Sequence, residues 1–108
     1  MNAFSNNLAL NTEANLQEFE GDPSPAIFER LRKLKAACGP KMNKNDVAIV
    51  LIEACISEGW DTRARIVGAL KTLELNPRHV VIMLNRNTGH NPERDRWQLD
   101  GGGHYKMH

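Results

Sequence analysis

The chain is short of most of what marks a secreted, membrane-spanning or metal-dependent protein. Its 108 residues include two cysteines, Cys38 and Cys55, and neither forms a CxxC pair. Each sits among apolar residues of helical spacing. The expectation is therefore two buried free thiols in a reducing cytosol, with a disulfide between them as the alternative. No apolar run approaches the roughly 20 residues that a membrane span requires. The opening MNAFSNNLALN has neither a basic n-region nor a long apolar h-region, so it does not read as a signal peptide. Catalytic signatures are missing too. There is no HExxH and no paired-carboxylate constellation, and Gly101-Gly102-Gly103 is not followed by the Lys-Ser/Thr of a phosphate-binding loop. Of His79, His90, His104 and His108, the last two lie four apart. On a strand that separates them by about 13 Å, too far to share an ion. Neither an enzyme, a cofactor nor a metal site is expected.

Positive charge is absent from the first 29 residues, which hold five acids (Glu13, Glu18, Glu20, Asp22, Glu29) and no lysine or arginine. Residues 62–108 reverse this, with eight basic side chains against four acids. The overall charge of +1 hides that polarity. A positive end on a nearly neutral protein suits contact with phosphates, although a solvated basic surface has the same composition.

At this length one domain with a modest core is expected, preceded by an acidic arm and linker over residues 1–24. Leu8, Leu10, Leu16 and Phe19 support at most one weak helix near residues 12–20, and GDPSP at 21–25 is a turn or linker. The first clear helix is 25–38. Ser24 caps it, Pro25 fits its first turn, and Ile27, Phe28, Leu31, Leu34 and Cys38 form an apolar stripe. Gly39-Pro40 ends it. A second helix is placed at 45–58, capped by Asn45 or Asp46. Val47, Val50, Leu51, Ala54 and Cys55 form its stripe, which Ile49, Ile52 and Ile56 widen, as in a central helix covered on several sides. VAIVLI would also suit a buried strand, but the length and the following EACISEG favour helix. A third helix over 62–73 starts at Asp61 or Thr62 and turns Ile66, Val67, Leu70 and Leu73 inward. After the turn Glu74-Leu75-Asn76, with Leu75 in the core, a fourth runs over 77–87, capped by Asn76 with Pro77 at its first position. A loop, HNPERD, precedes a hairpin over 96–108. Trp97 and Leu99 share a face of its first strand, Tyr105 and Met107 a face of its second, and the three glycines make the turn. Trp97 is expected to anchor this hairpin.

At 100° per residue the fourth helix sorts into two flanks. Pro77, Val80, Val81, Leu84 and Thr88 gather on one, and Arg78, His79, Ile82, Asn85 and Arg86 on the other. The second flank carries groove-reading chemistry: Arg donates two hydrogen bonds to guanine, Asn pairs with adenine, and Ile meets a thymine methyl. A wet helical surface has much the same composition, and the exposed Ile82 would equally serve a protein interface.

Helix, tight turn, helix and glycine-tipped ribbon, as in DTRARIVGALKTLELNPRHVVIMLNRNTG followed by RWQLDGGGHYKMH, resemble the winged helix-turn-helix superfamily over roughly residues 44–108. The resemblance implies a mainly α fold with a C-terminal β-hairpin, the 25–38 helix being an addition before the motif. It implies that Arg78, His79, Ile82, Asn85 and Arg86 read the major groove of double-stranded DNA. Arg63 and Arg65 would hold phosphate, and Arg94, Arg96, His104 and Lys106 would be wing contacts. The expected function is that of a small cytoplasmic transcriptional regulator, acting as a homodimer through Phe28, Leu31 and Leu34. The alternatives are a protein–protein interaction module of the same shape and a mobile-element accessory protein that binds no DNA.

Overall fold

A computed structural model describes residues 24–108. The weak helix expected near residues 12–20, and nearly all of the acidic arm, lie outside the described residues. Four helices are followed by two short strands: α1 (Pro25–Cys38), α2 (Lys44–Ser57), α3 (Arg63–Thr72), α4 (Pro77–Arg86), β1 (Trp97–Leu99) and β2 (Tyr105–Met107). The strands pair antiparallel in the register Trp97↔Met107, Gln98↔Lys106, Leu99↔Tyr105. The molecule is thus mainly helical with a C-terminal hairpin. None of its described helices is long and apolar enough to cross a membrane.

Local chemistry sets the helix starts. Ser24, Thr62 and Asn76 each accept a backbone N–H of the first turn through the side chain, and Pro25 and Pro77 stand where a missing N–H costs nothing. One cap differs from expectation. α2 begins at Lys44, and Asn43, not Asn45 or Asp46, caps it by accepting from the Asp46 N–H at 2.9 Å. Asp46 then lies in the first turn, where its charge favours the helix dipole.

α2 is the centre of the domain, touching α1, α3, α4 and β2. It buries Ala48, Leu51, Ile52, Cys55 and Ile56, an i, i+3, i+4, i+7, i+8 stripe, while Val47, Ile49 and Ala54 are half-buried at its edges. Ile66, Ala69 and Leu70 of α3, Val80, Met83 and Leu84 of α4, and Leu31 of α1 complete the helical core. Burying each large side chain contributes about 1.5–3 kcal/mol. Cys55 lies inside this core, and desolvation pushes its thiol up to about 12. Cys38 is only half-buried, contrary to expectation, and both cysteines are free.

The hairpin belongs to the same core. Trp97 is fully buried, and its Nε1 donates to the Leu84 carbonyl at 3.1 Å and to the Thr88 hydroxyl at 2.9 Å. Tyr105 is buried beside it. Gly89 permits the approach of the preceding loop: a Cβ there would stand 2.0 Å from the carboxylate of Asp95, itself 5% exposed. On its other side the ribbon meets the α2–α3 connection. Thr62 and His104 form a β-bridge, and the Tyr105 N–H donates to the Asp61 carbonyl at 2.8 Å.

The α1 stripe does not leave the surplus expected of a dimer element. Leu31 is 1% exposed within the single chain, and Phe28 and Leu34 pack half-buried against the core. α1 is used up as the cover of α2, fastened further by Arg30, which donates to Glu58 at the far end of α2 at 2.7 Å.

Candidate functional site

α4 presents a sorted surface. Val80, Met83 and Leu84 point inward, whereas Arg78, Ile82, Asn85 and Arg86 are exposed, Ile82 at 44%. Met83 is an inward residue that the flank assignment leaves out, and Val81 is only half-buried. Arg78 and Arg86 form no ion pair with any described residue, so two guanidinium groups on this flank keep their full donor capacity toward an outside acceptor.

His79 departs from the expected flank. It is half-buried, and its Nε2 is closed off from solvent without a hydrogen-bond partner among the described residues. A buried polar atom left unpaired costs about 1–3 kcal/mol. The reason for its placement is the turn before it. His79 is the third residue of α4, beside the cap residue Asn76, and its ring falls toward the α3–α4 connection rather than along the outer face.

The start of α3 meets this flank. Arg63 is exposed, and its guanidinium donates to Asn85 Oδ1 at 2.8 Å, so two residues 22 apart in sequence share one surface. Asn85 keeps its amide N–H donors. Arg65 is placed differently from Arg63: it is half-buried, with its guanidinium over the Trp60 ring at 4.9 Å, while the Trp60 Nε1 donates to the Arg65 carbonyl at 2.9 Å. Arg65, expected to hold phosphate beside Arg63, thus packs against the α2–α3 connection.

The basic residues of the hairpin region divide in the same way. Arg94 lies against the buried Asp95, whose carboxyl it holds below the usual carboxylate range, and Arg96 reaches Glu53 of α2 at 3.4 Å. Both are therefore partly neutralised by acids of the domain. Lys106 is exposed on the outer face of β2. His104 pairs with Asp61 at 2.8 Å, and that carboxylate raises the imidazole above its ordinary value. The glycine turn itself is organised by Asp100, whose Oδ1 accepts the N–H groups of Gly102 and His104 at 2.8 and 2.9 Å. Those bonds depress its carboxyl.

These contacts form a chain. The β-bridge ties His104 to Thr62, Arg63 follows Thr62, and Arg63 holds Asn85. The hairpin, the start of α3 and the outer flank of α4 are thereby joined. Asp61, which adds a second tie to His104 and accepts the Tyr105 N–H, and Trp60, which packs on Arg65, carry no signal in the sequence beyond the helix-capping character of Asp61.

A cavity of about 340 Å³ opens at the α3–α4 connection, lined by Lys35, Met42, Lys44, Val47, Glu74, Leu75, Asn76 and His79. Among the described residues there is no grouping of histidine, cysteine, aspartate and glutamate suited to hold a metal ion. Compared with family models, curated proteins and solved structures, the chain matches none.

Proposed function

We propose that this chain is a winged helix-turn-helix domain that binds double-stranded DNA in a sequence-dependent way, as a small transcriptional regulator does. The observation that carries the reading is the linked surface just described. It comprises an exposed α4 flank with the unpaired guanidiniums of Arg78 and Arg86, Asn85 positioned by Arg63 at 2.8 Å, and a hairpin bridged to the start of α3. Arg78, Arg86 and Asn85 have the donors that base edges accept, and Ile82 offers an apolar surface of the kind a thymine methyl meets. Arg63 and Lys106 supply charge toward the phosphates on either side. His79 and Arg65 are not needed for contact in this arrangement, since both are committed inward.

The test is fluorescence anisotropy of a labelled random-sequence duplex, followed by selection of bound fragments. Binding is expected at ~50 mM salt and falls steeply as salt rises, because each phosphate neutralised releases condensed counterions. Arg78→Ala and Arg86→Ala each weaken selected sites by about 1–3 kcal/mol, with thermal stability unchanged because both side chains are exposed. No binding at ~50 mM salt overturns the reading. It would then favour a protein-docking module, for which Ile82, Leu99 and Met107, exposed at 44%, 41% and 37%, are the apolar contacts on offer.

A further inference from the structure

We propose that the cavity at the α3–α4 connection binds a small organic monocarboxylate with an apolar body. Its lining includes none of the exposed α4 residues Arg78, Ile82, Asn85 and Arg86. It is assembled from four parts of the chain: Lys35 of α1, Met42 in the loop after it, Lys44 and Val47 at the start of α2, and the α3–α4 turn with His79.

Three features define the ligand. The first is size: about 340 Å³ lies at the lower end of the range for small-molecule sites. The second is the apolar lining. Val47 and Leu75 pack half-buried against the core, and Met42, 39% exposed, is a further lining residue. An apolar body displaces water from these groups. The third is the polar set. The lining holds two lysines, Lys35 and Lys44, against one glutamate, Glu74, which leaves one positive charge over for one negative charge on the ligand. Lys35 donates only one of its N–H groups, to the Leu73 carbonyl at 2.7 Å, and so remains able to donate to a second acceptor. The half-buried ring of His79 belongs to the same lining.

Backbone conformation is unusual at one lining residue. Glu74 adopts φ +74°, the left-handed conformation that glycine usually supplies at the residue after a helix C-cap. The glutamate stands at the turn itself, among the lining residues, where glycine would leave no side chain.

The experiment is a two-dimensional amide NMR titration of the full chain with three probes of equal length: sodium hexanoate, hexan-1-ol and hexylammonium chloride. Hexanoate is expected to saturate with a Kd on the order of 1 mM, as befits a fragment of its size. Its shifts should centre on Met42, Val47, Leu75 and His79, with the outer α4 residues Asn85 and Arg86 unmoved. Hexanol should bind about tenfold more weakly, since it lacks the charge-assisted bonds. Lys44→Gln, at an exposed position that leaves the melting temperature in place, should weaken hexanoate by a similar factor while leaving hexanol unchanged. Equal affinity for hexanol and hexanoate would reduce the site to a greasy cleft and overturn the proposal. Preference for hexylammonium would show that Glu74 governs the charge, and would overturn it too. So would the lack of any saturable shift up to about 20 mM, well above the expected Kd.

Discussion

Two helix ends in this molecule are closed by the same backbone device with different residues. After α2, Gly59 N–H donates to Ile56 and Trp60 N–H to Cys55; after α3, Glu74 N–H donates to Lys71 and Leu75 N–H to Leu70. Both are the paired bonds of a Schellman cap, whose central residue must take a left-handed φ. Gly59 takes +83° and Glu74 takes +74°. What surrounds them differs as much as the residue does. The first connection is fully tied down: Trp60 is hydrogen-bonded to Arg65 and stacked under it, and Asp61 holds both the Tyr105 N–H and the His104 ring. The second carries a cavity and a histidine nitrogen without a hydrogen-bond partner among the described residues. Strain that a glycine would remove therefore coincides with open space at the second connection. The first connection fixes the hairpin to the body, and the second leaves space beside the turn.

The largest test of this contrast is Gly59→Ala. A Cβ at this position meets nothing within 4 Å, so the substitution introduces backbone strain without a packing clash. Forcing an L-residue into the left-handed region costs about 1–2 kcal/mol, part of which is offset by the stiffer unfolded chain. A net loss of about 1 kcal/mol lowers the melting temperature of a domain this size by roughly 4–8 °C. An unchanged melting temperature would mean that the cap tolerates any residue, and that Glu74 carries no strain to explain.

Glu74→Gly is the reciprocal change and has a smaller effect of opposite sign. Relief of the left-handed penalty exceeds the added flexibility of the unfolded chain by about 0.5 kcal/mol, so the melting temperature should rise by a few degrees. Denaturant titration of wild type and variant decides the sign. A loss of stability would show that the glutamate side chain makes a favourable contact that outweighs its backbone, and the comparison with Gly59 would then fail.

How much of this was legible beforehand follows from the range of the interactions. The caps at Ser24, Thr62 and Asn76, the prolines at Pro25 and Pro77, and the alternation of Trp97/Leu99 and Tyr105/Met107 act within a few residues, and the four helices and the hairpin follow from them. The exposed positions of Arg78, Ile82, Asn85 and Arg86 follow from helical period alone. What periodicity does not contain is who meets whom. Arg96 with Glu53 and His104 with Asp61 are each 43 residues apart, and Arg63 with Asn85 is 22 apart. Leu31 reads as surplus until α2 is seen beneath it, and His79 reads as outward until the turn draws its ring aside. Glu74 illustrates the same limit in reverse: a glutamate gives no hint of positive φ, whereas Gly59 announces it.

The smallest effect concerns the fastening of the tied connection, His104 with Asp61. Asp61 raises the imidazole first through the hydrogen bond and then through its charge; Asp100 adds to this, while Arg65 and partial desolvation oppose it. A group whose folded value lies above its unfolded one, about 6.5 for histidine, binds its proton more tightly in the folded state. Its contribution is therefore complete below about pH 6.5 and is lost as pH rises through the folded value. In an NMR titration the His104 ring should titrate above the ordinary histidine midpoint in wild type and move down toward it in Asp61→Asn. The stability gap between the two proteins should be wider at about pH 5.5 than at about pH 8.5. The pair is exposed, so the gap is expected to be small and to shrink further in salt. A gap that widens with pH instead would mean that Asp61 acts through the neutral ring or through its cap position alone. The hairpin would then be held to the first connection by the Tyr105 N–H and the buried rings, without help from charge.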